Sequence, residues 1–242
     1  MIPFADFAFS FGTFPKAIQF VGDHGHLILT KIWEHLQLSA TALGVSVLIG
    51  LPLGILLGHA HRGSLIAINV SNIGRALPSI ALIGFGISLF GPTTSNVVIA
   101  LVVLGAPPIL ANAYVAVDSV DADVVEAGRG MGLSPWAVLW RLEVPLALPL
   151  IFAGIRTAAV YIVATATLAA VSGTGGGLGD IIVNQASYRA EGVLAAALCV
   201  TALAFAVDAI LAGLQWVLTP AALRGRTETK DVSLTVSEEA AV

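Results

Sequence analysis

Residues of the types that do chemistry are few in this chain, and their spacing brings few of them together. Two His-X-His pairs, His24 with His26 and His59 with His61, could begin a metal site, but a metal ion needs more ligands that converge on it. We therefore interpret them as polar residues at helix ends and predict no metal site. The glycine-rich run 173–179 is not followed by the Lys-Ser or Lys-Thr of a phosphate-binding loop. The sequence thus predicts no catalytic residue and no cofactor.

Three charged residues, Arg75, Arg156 and Asp208, lie within or near long apolar stretches. A charge near the bilayer centre costs about 3 kcal/mol on insertion scales, so such residues usually face a bundle interior or a polar path. Asp208 is near the middle of its stretch, and we predict that it pairs with a basic group such as Arg75 in an intramembrane charge site. Arg156 is closer to the end of its stretch, where its guanidinium could extend toward the headgroups.

Aromatic side chains suggest a second kind of site. Tyr161 and Phe85 could present their ring faces to a quaternary ammonium group by cation–π attraction, which makes them candidates for a substrate path. Scattered aromatic residues in membrane helices more often serve packing, so packing is the competing interpretation.

The composition indicates that most of the chain lies in a membrane. Of its 242 residues, 57% are hydrophobic and 11% are charged, whereas soluble domains carry about 25% charged residues. The net charge is −4 and there is no basic stripe, which argues against nucleic acid as a partner. The single cysteine, Cys199, lies in an apolar run, so we interpret it as a small buried hydrophobic residue.

Apolar stretches predict an all-α membrane protein with about five transmembrane helices, since a span needs about 20 such residues. The predicted spans are residues 35–60, from about 65 to 90, from about 95 to 117, 146–171 and 192–218. The second span carries Arg75 and Pro78, and the cluster Gly91-Pro92-Thr93-Thr94 separates it from the third. A sixth span in the apolar N-terminal residues remains open.

The predicted spans are flanked by two shorter regions. Residues 1–34 are predicted to be extracytoplasmic or interfacial, residues 35–218 form the transmembrane domain, and residues 219–242 form a polar, disordered tail. With five spans, most basic loop residues fall on the side that holds residues 59–63, 118–145 and the tail. Because basic loops favour the cytoplasm, we predict a multi-pass membrane protein with its C-terminus in the cytoplasm.

The polar segment 118–145 separates two predicted spans and has the features of a helix–turn–helix. The run Asp118-Ser119-Val120-Asp121 supplies helix-starting residues, Asp121 and Asp123 also suit the positive end of a helix, and glycines at 128, 130 and 132 suit its end. Ser134 and Pro135 suit the cap and first position of a second helix. We predict that this second helix ends before Pro145, because the residue before a proline disfavours the α conformation.

This segment resembles the cytoplasmic motif of ATP-binding cassette (ABC) importer permeases, a Glu-Ala-Ala triplet followed by Gly and then by Ile-X-Leu-Pro. Glu126-Ala127-Gly128 matches the triplet, Gly132 the glycine, and Leu142-Glu143-Val144-Pro145 the closing residues. Gly128 replaces the usual alanine, at a cost in helix propensity of about 1 kcal/mol. In the family, this helix couples the permease to its ATPase. The resemblance therefore implies that coupling role for Glu126, Ala127, Gly128, Gly132, Leu142 and Pro145.

The stretches 75–82 and 146–180 also resemble permeases for glycine betaine, choline and carnitine. The resemblance implies an import permease of a bacterial or archaeal cell membrane, without enzymatic activity of its own, for a glycine betaine-type osmoprotectant. It also implies cytoplasmic ATPase subunits, a second permease copy or paralogue, and an extracytoplasmic solute-binding protein as partners. A permease for methionine or another small solute is the alternative within this family. The alternative of another class is an ion-coupled secondary carrier or channel that uses Asp208 and Arg75.

Overall fold

Helices make up almost all of the computed structural model, which describes residues 12–61, 63–173 and 176–220, without the side chains of residues 66–68, 70, 73 and 75. Ten α-helices occur in these ranges, together with a π turn, Leu139–Glu143, and a 3-10 turn, Ala166–Ser172. The α-helices are α1 Thr13–Asp23, α2 Gly25–His59, α3 Ser64–Ala76, α4 Ser79–Phe90, α5 Thr94–Asp118, α6 Ala122–Gly130, α7 Pro135–Val138, α8 Val144–Thr165, α9 Gly179–Val183 and α10 Gln185–Leu218.

Four helical stretches of the described chain are long and apolar enough to cross a membrane: Gly25–His59, Thr94–Asp118, Pro135–Ser172 and Gln185–Leu218. They correspond to four of the five predicted spans, which confirms an all-α membrane protein. The predicted second span is instead two shorter helices, α3 and α4. They meet at Leu77 and Pro78, where Pro78 is extended at ψ 117° and precedes α4. The proline ring disfavours a helical Leu77, which favours the break observed between α3 and α4.

Helix α5 is at the centre of the bundle and packs against α2, α8, α3 and α4. Its closest neighbour is α2, which presents glycines at 50, 54 and 58 to the α5 backbone. A Cβ atom at Gly54 would lie 2.5 Å from the carbonyl oxygen of Leu110 and 2.7 Å from the Cβ of Ala113. Small residues at this spacing let two membrane helices approach closely, and the close approach increases the van der Waals packing between them.

The glycine-rich run lies against α2 at the end opposite His59. A Cβ at Gly177, whose φ is +58°, would lie 2.6 Å from the Cβ of His35. Asp180, at the start of α9, accepts a hydrogen bond from Lys31 Nζ at 2.7 Å and another from the Gly176 N–H at 3.0 Å. The described part of this run is therefore a tight turn held onto α2. Residues 174 and 175 lie outside the described residues.

Both flanking regions extend beyond the described residues. Residues 1–11 and 221–242 are not described, so the expectations for the far N-terminus and the tail fall outside the structure. Helix α2 begins at Gly25 and is continuous to His59. The predicted first span is therefore the later part of a longer helix.

The seam between α2 and α5 leads to a stability prediction. Gly54→Ala should destabilise the protein by about 1–3 kcal/mol, because the added methyl group meets backbone atoms of α5 that cannot rotate away. Thermal unfolding of the purified protein in detergent measures this loss. Gly44→Ala is the matched control, since it is on the same helix and its Cβ would meet nothing within 4 Å. An equal loss in both variants would contradict the close approach.

Candidate functional site

The first arm of the polar segment is α6, and its two ends are capped by its own residues. The Asp121 carboxylate accepts a hydrogen bond from the Asp123 N–H at 2.9 Å. At the other end, the Leu133 N–H donates to the Gly128 carbonyl at 3.2 Å and the Gly132 N–H to the Arg129 carbonyl at 2.9 Å. This is the bonding of a Schellman turn, which needs a left-handed residue at its bend. Gly132 supplies it with a φ of +83°.

The second arm begins as predicted but does not end as predicted. Ser134 Oγ accepts from the Ala137 N–H at 3.3 Å, and Pro135 occupies the first turn of α7. The predicted end before Pro145 is wrong, because α7 continues through the π turn into α8. In that turn the Val144 N–H bonds to the Leu139 carbonyl, five residues back. The wider turn makes room for Pro145, whose ring would otherwise clash with the carbonyl four residues earlier.

The motif residues divide into an inward and an outward set. Gly128 is buried, and a Cβ there would lie 2.5 Å from Leu142 Cδ1, so the third triplet position packs directly on the residue at the isoleucine position. An alanine Cβ here would require the end of the Leu142 side chain to shift, which glycine avoids. Glu126, Ala127 and Gly132 are exposed.

The exposed side of α6 also carries apolar surface. Met131 is 74% exposed, and Val124 on the same hairpin is also accessible. Val125 is only 6% exposed and anchors the helix from beneath. Among the described residues, Glu126 makes no hydrogen bond or ion pair. An anchored helix with an uncovered mixed face has the form of a docking element.

Two histidine–carboxylate pairs, which the sequence did not predict, join the end of α2 to this segment. His59 Nδ1 lies 2.6 Å from Glu143 Oε2, and His61 Nδ1 lies 2.9 Å from Asp118 Oδ1. His59 and Glu143 are 84 residues apart in the chain, and no spacing rule links such positions. The described residues contain no group of three His, Cys, Asp or Glu that could hold a metal ion.

The intramembrane carboxylate pairs with a basic group, as predicted, and that group is Arg156. Asp208 on α10 accepts two hydrogen bonds from Arg156 on α8, from Nε and Nη2, each at 2.8 Å. Arg156 also donates to Gln215 Oε1 at 3.2 Å. Arg156 therefore turns toward α10 and is the basic partner of Asp208. Arg75 belongs to α3 and its side chain lies outside the described residues.

The structure separates the two aromatic candidates for a substrate path. Tyr161 lines a cavity of about 620 Å³ together with Arg156 and Asp208. Phe85 lies on α4, is 64% exposed and is not among the residues of that cavity. A second cavity of about 670 Å³ opens between α2 and α5 and is lined by Glu34 and Thr41, among others.

Comparison with protein families places this architecture. Residues 50–215 match the family model described as binding-protein-dependent transport system inner membrane component. The carnitine transport permease protein OpuCB of Listeria monocytogenes is 38% identical over 212 residues, which cover 87% of this chain and 97% of that protein. The choline transport system permease protein OpuBB of Bacillus subtilis is 38% identical over 208 residues, covering 86% and 95%. The osmoprotectant import permease protein OsmW of Salmonella typhimurium is 36% identical over 213 residues, covering 86% and 99%.

A solved structure shares the fold. The permease of the inward-facing MetNI methionine ABC transporter superposes with a TM-score of 0.69 at 23% identity, covering 80% of this chain and 97% of that chain. At that identity the likeness concerns the fold alone. The family match, the extent of the curated relatives and the four long apolar helices agree. This chain belongs to the binding-protein-dependent transport system inner membrane components, and it is a multi-pass permease subunit of an ABC importer.

Proposed function

We propose that this permease imports quaternary ammonium osmoprotectants of the glycine betaine type. The observation that carries the proposal is the similarity, over nearly the whole length of each relative, to permeases named for carnitine, choline and osmoprotectants. Methionine is the weaker candidate, because the methionine transporter shares the fold at only 23% identity. An ion-coupled carrier is weaker still, because the chain belongs to a family that works with binding proteins and ATPases.

The coupling role falls to residues 124–133. In this proposal, Glu126 and Ala127 contact a groove on a cytoplasmic ATPase subunit, and Gly132 sets the bend. Gly128 and Leu142 fix the distance between α6 and the second arm. Pro145 belongs to the turn that leads into α8. Support comes from the buried underside of α6 and from its uncovered outer face, which includes Met131 at 74% exposure. ATP hydrolysis takes place on the ATPase, and this chain performs no covalent chemistry itself.

The contacts at the end of α2 support the predicted sidedness. His59 and His61 meet Glu143 and Asp118, so the end of α2 and both ends of the polar segment lie on one side of the bundle. That side also carries Arg129 and Arg141, which favours the cytoplasm. We therefore assign residues 219–242 to the cytoplasm and residues 35–218 to the permease domain. Residues 1–34 are assigned to the extracytoplasmic side, where the solute-binding protein releases the solute.

The proposed cycle uses two permeases and two ATPase subunits. ATP draws the ATPase subunits together, and each carries its docked α6 with it. The second arm of the hairpin runs directly into α8, so the movement enters the membrane through that helix. The permease pair, formed with a second copy or a paralogue, then alternates between inward-open and outward-open states. Tyr161 beside the Arg156–Asp208 pair is our candidate for the solute path; Phe85 is a candidate at a separate position.

The bend at Gly132 can be tested by substitution. Gly132→Val should reduce uptake of radiolabelled glycine betaine by at least about tenfold, because a β-branched residue strongly disfavours a positive φ and the outer face of α6 would be re-aimed. Uptake is measured in proteoliposomes that contain the complete transporter. Gly132→Asn is the control, because asparagine tolerates a positive φ far better than valine does and should keep most of the uptake. Unchanged uptake by the Gly132→Val variant would contradict the role of the bend.

The solute class can be tested by competition. Excess unlabelled choline or carnitine should reduce uptake of labelled glycine betaine, because all three carry a quaternary ammonium group, which aromatic faces attract. Excess methionine should leave uptake unchanged. In equilibrium binding, the cognate solute-binding protein should likewise bind choline and carnitine but not methionine. Competition by methionine alone would instead favour the methionine alternative.

The Arg156–Asp208 pair gives a third prediction. Asp208→Asn leaves the guanidinium of Arg156 without its carboxylate in the membrane, at a cost of about 3 kcal/mol. We expect a lower yield of inserted protein, measured by immunoblotting of washed membranes. The double variant Arg156→Gln with Asp208→Asn should recover the yield, because it carries no charge. If that neutral variant also imports glycine betaine normally, the pair is structural and is no part of the path.

A further inference from the structure

The carboxyl group of Glu143 is the most completely buried acid among the described residues. It is 1% exposed, and its Oε2 atom lies 2.6 Å from Nδ1 of His59. Its Oε1 atom is buried and has no hydrogen-bond partner among the described residues. Burying a carboxyl with one oxygen unsatisfied costs free energy that a hydrophobic residue would not cost. Stability alone therefore does not account for a glutamate at this position.

Glu143 lies where the hairpin, the π turn and the end of α2 meet. It is the last residue of the π turn and directly follows Leu142, which packs on Gly128 of α6. π turns inside α-helices occur frequently at functional sites. On the other side of the contact, His59 is the last residue of α2. The pair thus connects the hairpin that docks on the ATPase to the first long spanning helix.

Helix α2 is in turn fixed to the centre of the bundle. Gly58, next to His59, is so close to α5 that a Cβ there would lie 2.8 Å from the Tyr114 carbonyl oxygen and 2.9 Å from the Val117 Cβ. Leu139 of the π turn also packs with Ile55 of α2 in one apolar cluster. Apolar contact is non-directional and does not by itself fix a register. The hydrogen bond between His59 Nδ1 and Glu143 Oε2 is directional, so it does fix the register of α2 against the π turn.

We propose that the His59–Glu143 pair is the joint through which movement of the coupling hairpin reaches α2. His59 and Glu143 are then positioning residues: they touch neither the solute nor the ATPase, but they make α2 move with the hairpin. The α2 helix carries the movement along its glycine seam to α5. This inference rests on the proposed coupling function. It adds a second route into the membrane beside the covalent one through α8.

The main test measures the amount of glycine betaine imported per ATP hydrolysed by the complete transporter in proteoliposomes. Glu143→Ala and His59→Ala should each lower that ratio by about tenfold, while the ATPase subunits still copurify and still hydrolyse ATP. A variant that is merely less stable loses both activities in proportion, so its ratio stays at the wild-type value. A wild-type ratio in both variants would therefore overturn the proposal.

Two further variants sharpen this test. Asp118→Ala removes the neighbouring pair with His61, whose side chains are 52% and 38% exposed, and it should keep the wild-type ratio. His59→Asn places an amide nitrogen near the position of Nδ1, so it should restore much of the ratio lost in His59→Ala. If asparagine restores nothing, or if Asp118→Ala lowers the ratio equally, the specific joint is refuted.

A second readout needs no solute. Thr41→Cys places a label site on α2 at the cavity between α2 and α5, in a background in which Cys199 is replaced by serine. Its maleimide labelling rate should change when ATP and vanadate trap the transporter, and Glu143→Ala should abolish the change. If the labelling rate still changes in the Glu143→Ala variant, the proposed joint is wrong but the proposed coupling function is not affected. If no ATPase copurifies with wild-type protein, the proposed function fails, and the joint fails with it.

Discussion

Every backbone N–H and C=O group in the hydrocarbon layer must find its partner inside the protein, and this requirement governs how the chain is built. The spanning helices contain prolines, with Pro52 in α2, Pro107 and Pro108 in α5, and Pro149 in α8. None of them ends its helix. Ordinary propensity would break a helix at each position, but a break in lipid would expose unpaired groups. The chain therefore absorbs its prolines as local distortions.

The same requirement explains the connection between the coupling hairpin and the membrane. The helix passes through the π turn just before Pro145 and continues, so the second arm of the hairpin and the third long span are one helical stretch, Pro135–Ser172. A displacement of the second arm therefore passes into α8 without an intervening loop. Only the break at Pro78, between α3 and α4, interrupts the helix within a predicted span.

Local features of the sequence were sufficient for most of the fold. Hydrophobic length identified the long helices, and short-range chemistry identified the caps at Asp121 and Ser134. The sequence was less informative where the outcome depends on distant neighbours. Arg156 and Asp208 are 52 residues apart, so their pairing depends on how α8 and α10 pack, which single-sequence periodicity does not contain. The end predicted before Pro145 failed because the steric penalty on the residue before a proline is smaller than the cost of the unpaired backbone groups that a break would leave where the helix enters the bundle.

The candidate site shows how one short motif can serve two surfaces. Its inward residues, Gly128 and Leu142, fill the space between the hairpin arms, while Glu126 and Ala127 remain available to a partner. Because α6 is only nine residues long, it could not hold its orientation by its own helical hydrogen bonds. Its orientation depends on the arm against which it packs. Leu139 of that arm packs in one apolar cluster with residues of α2, α5 and α8. A force applied to the outer face of α6 therefore acts on these three helices together.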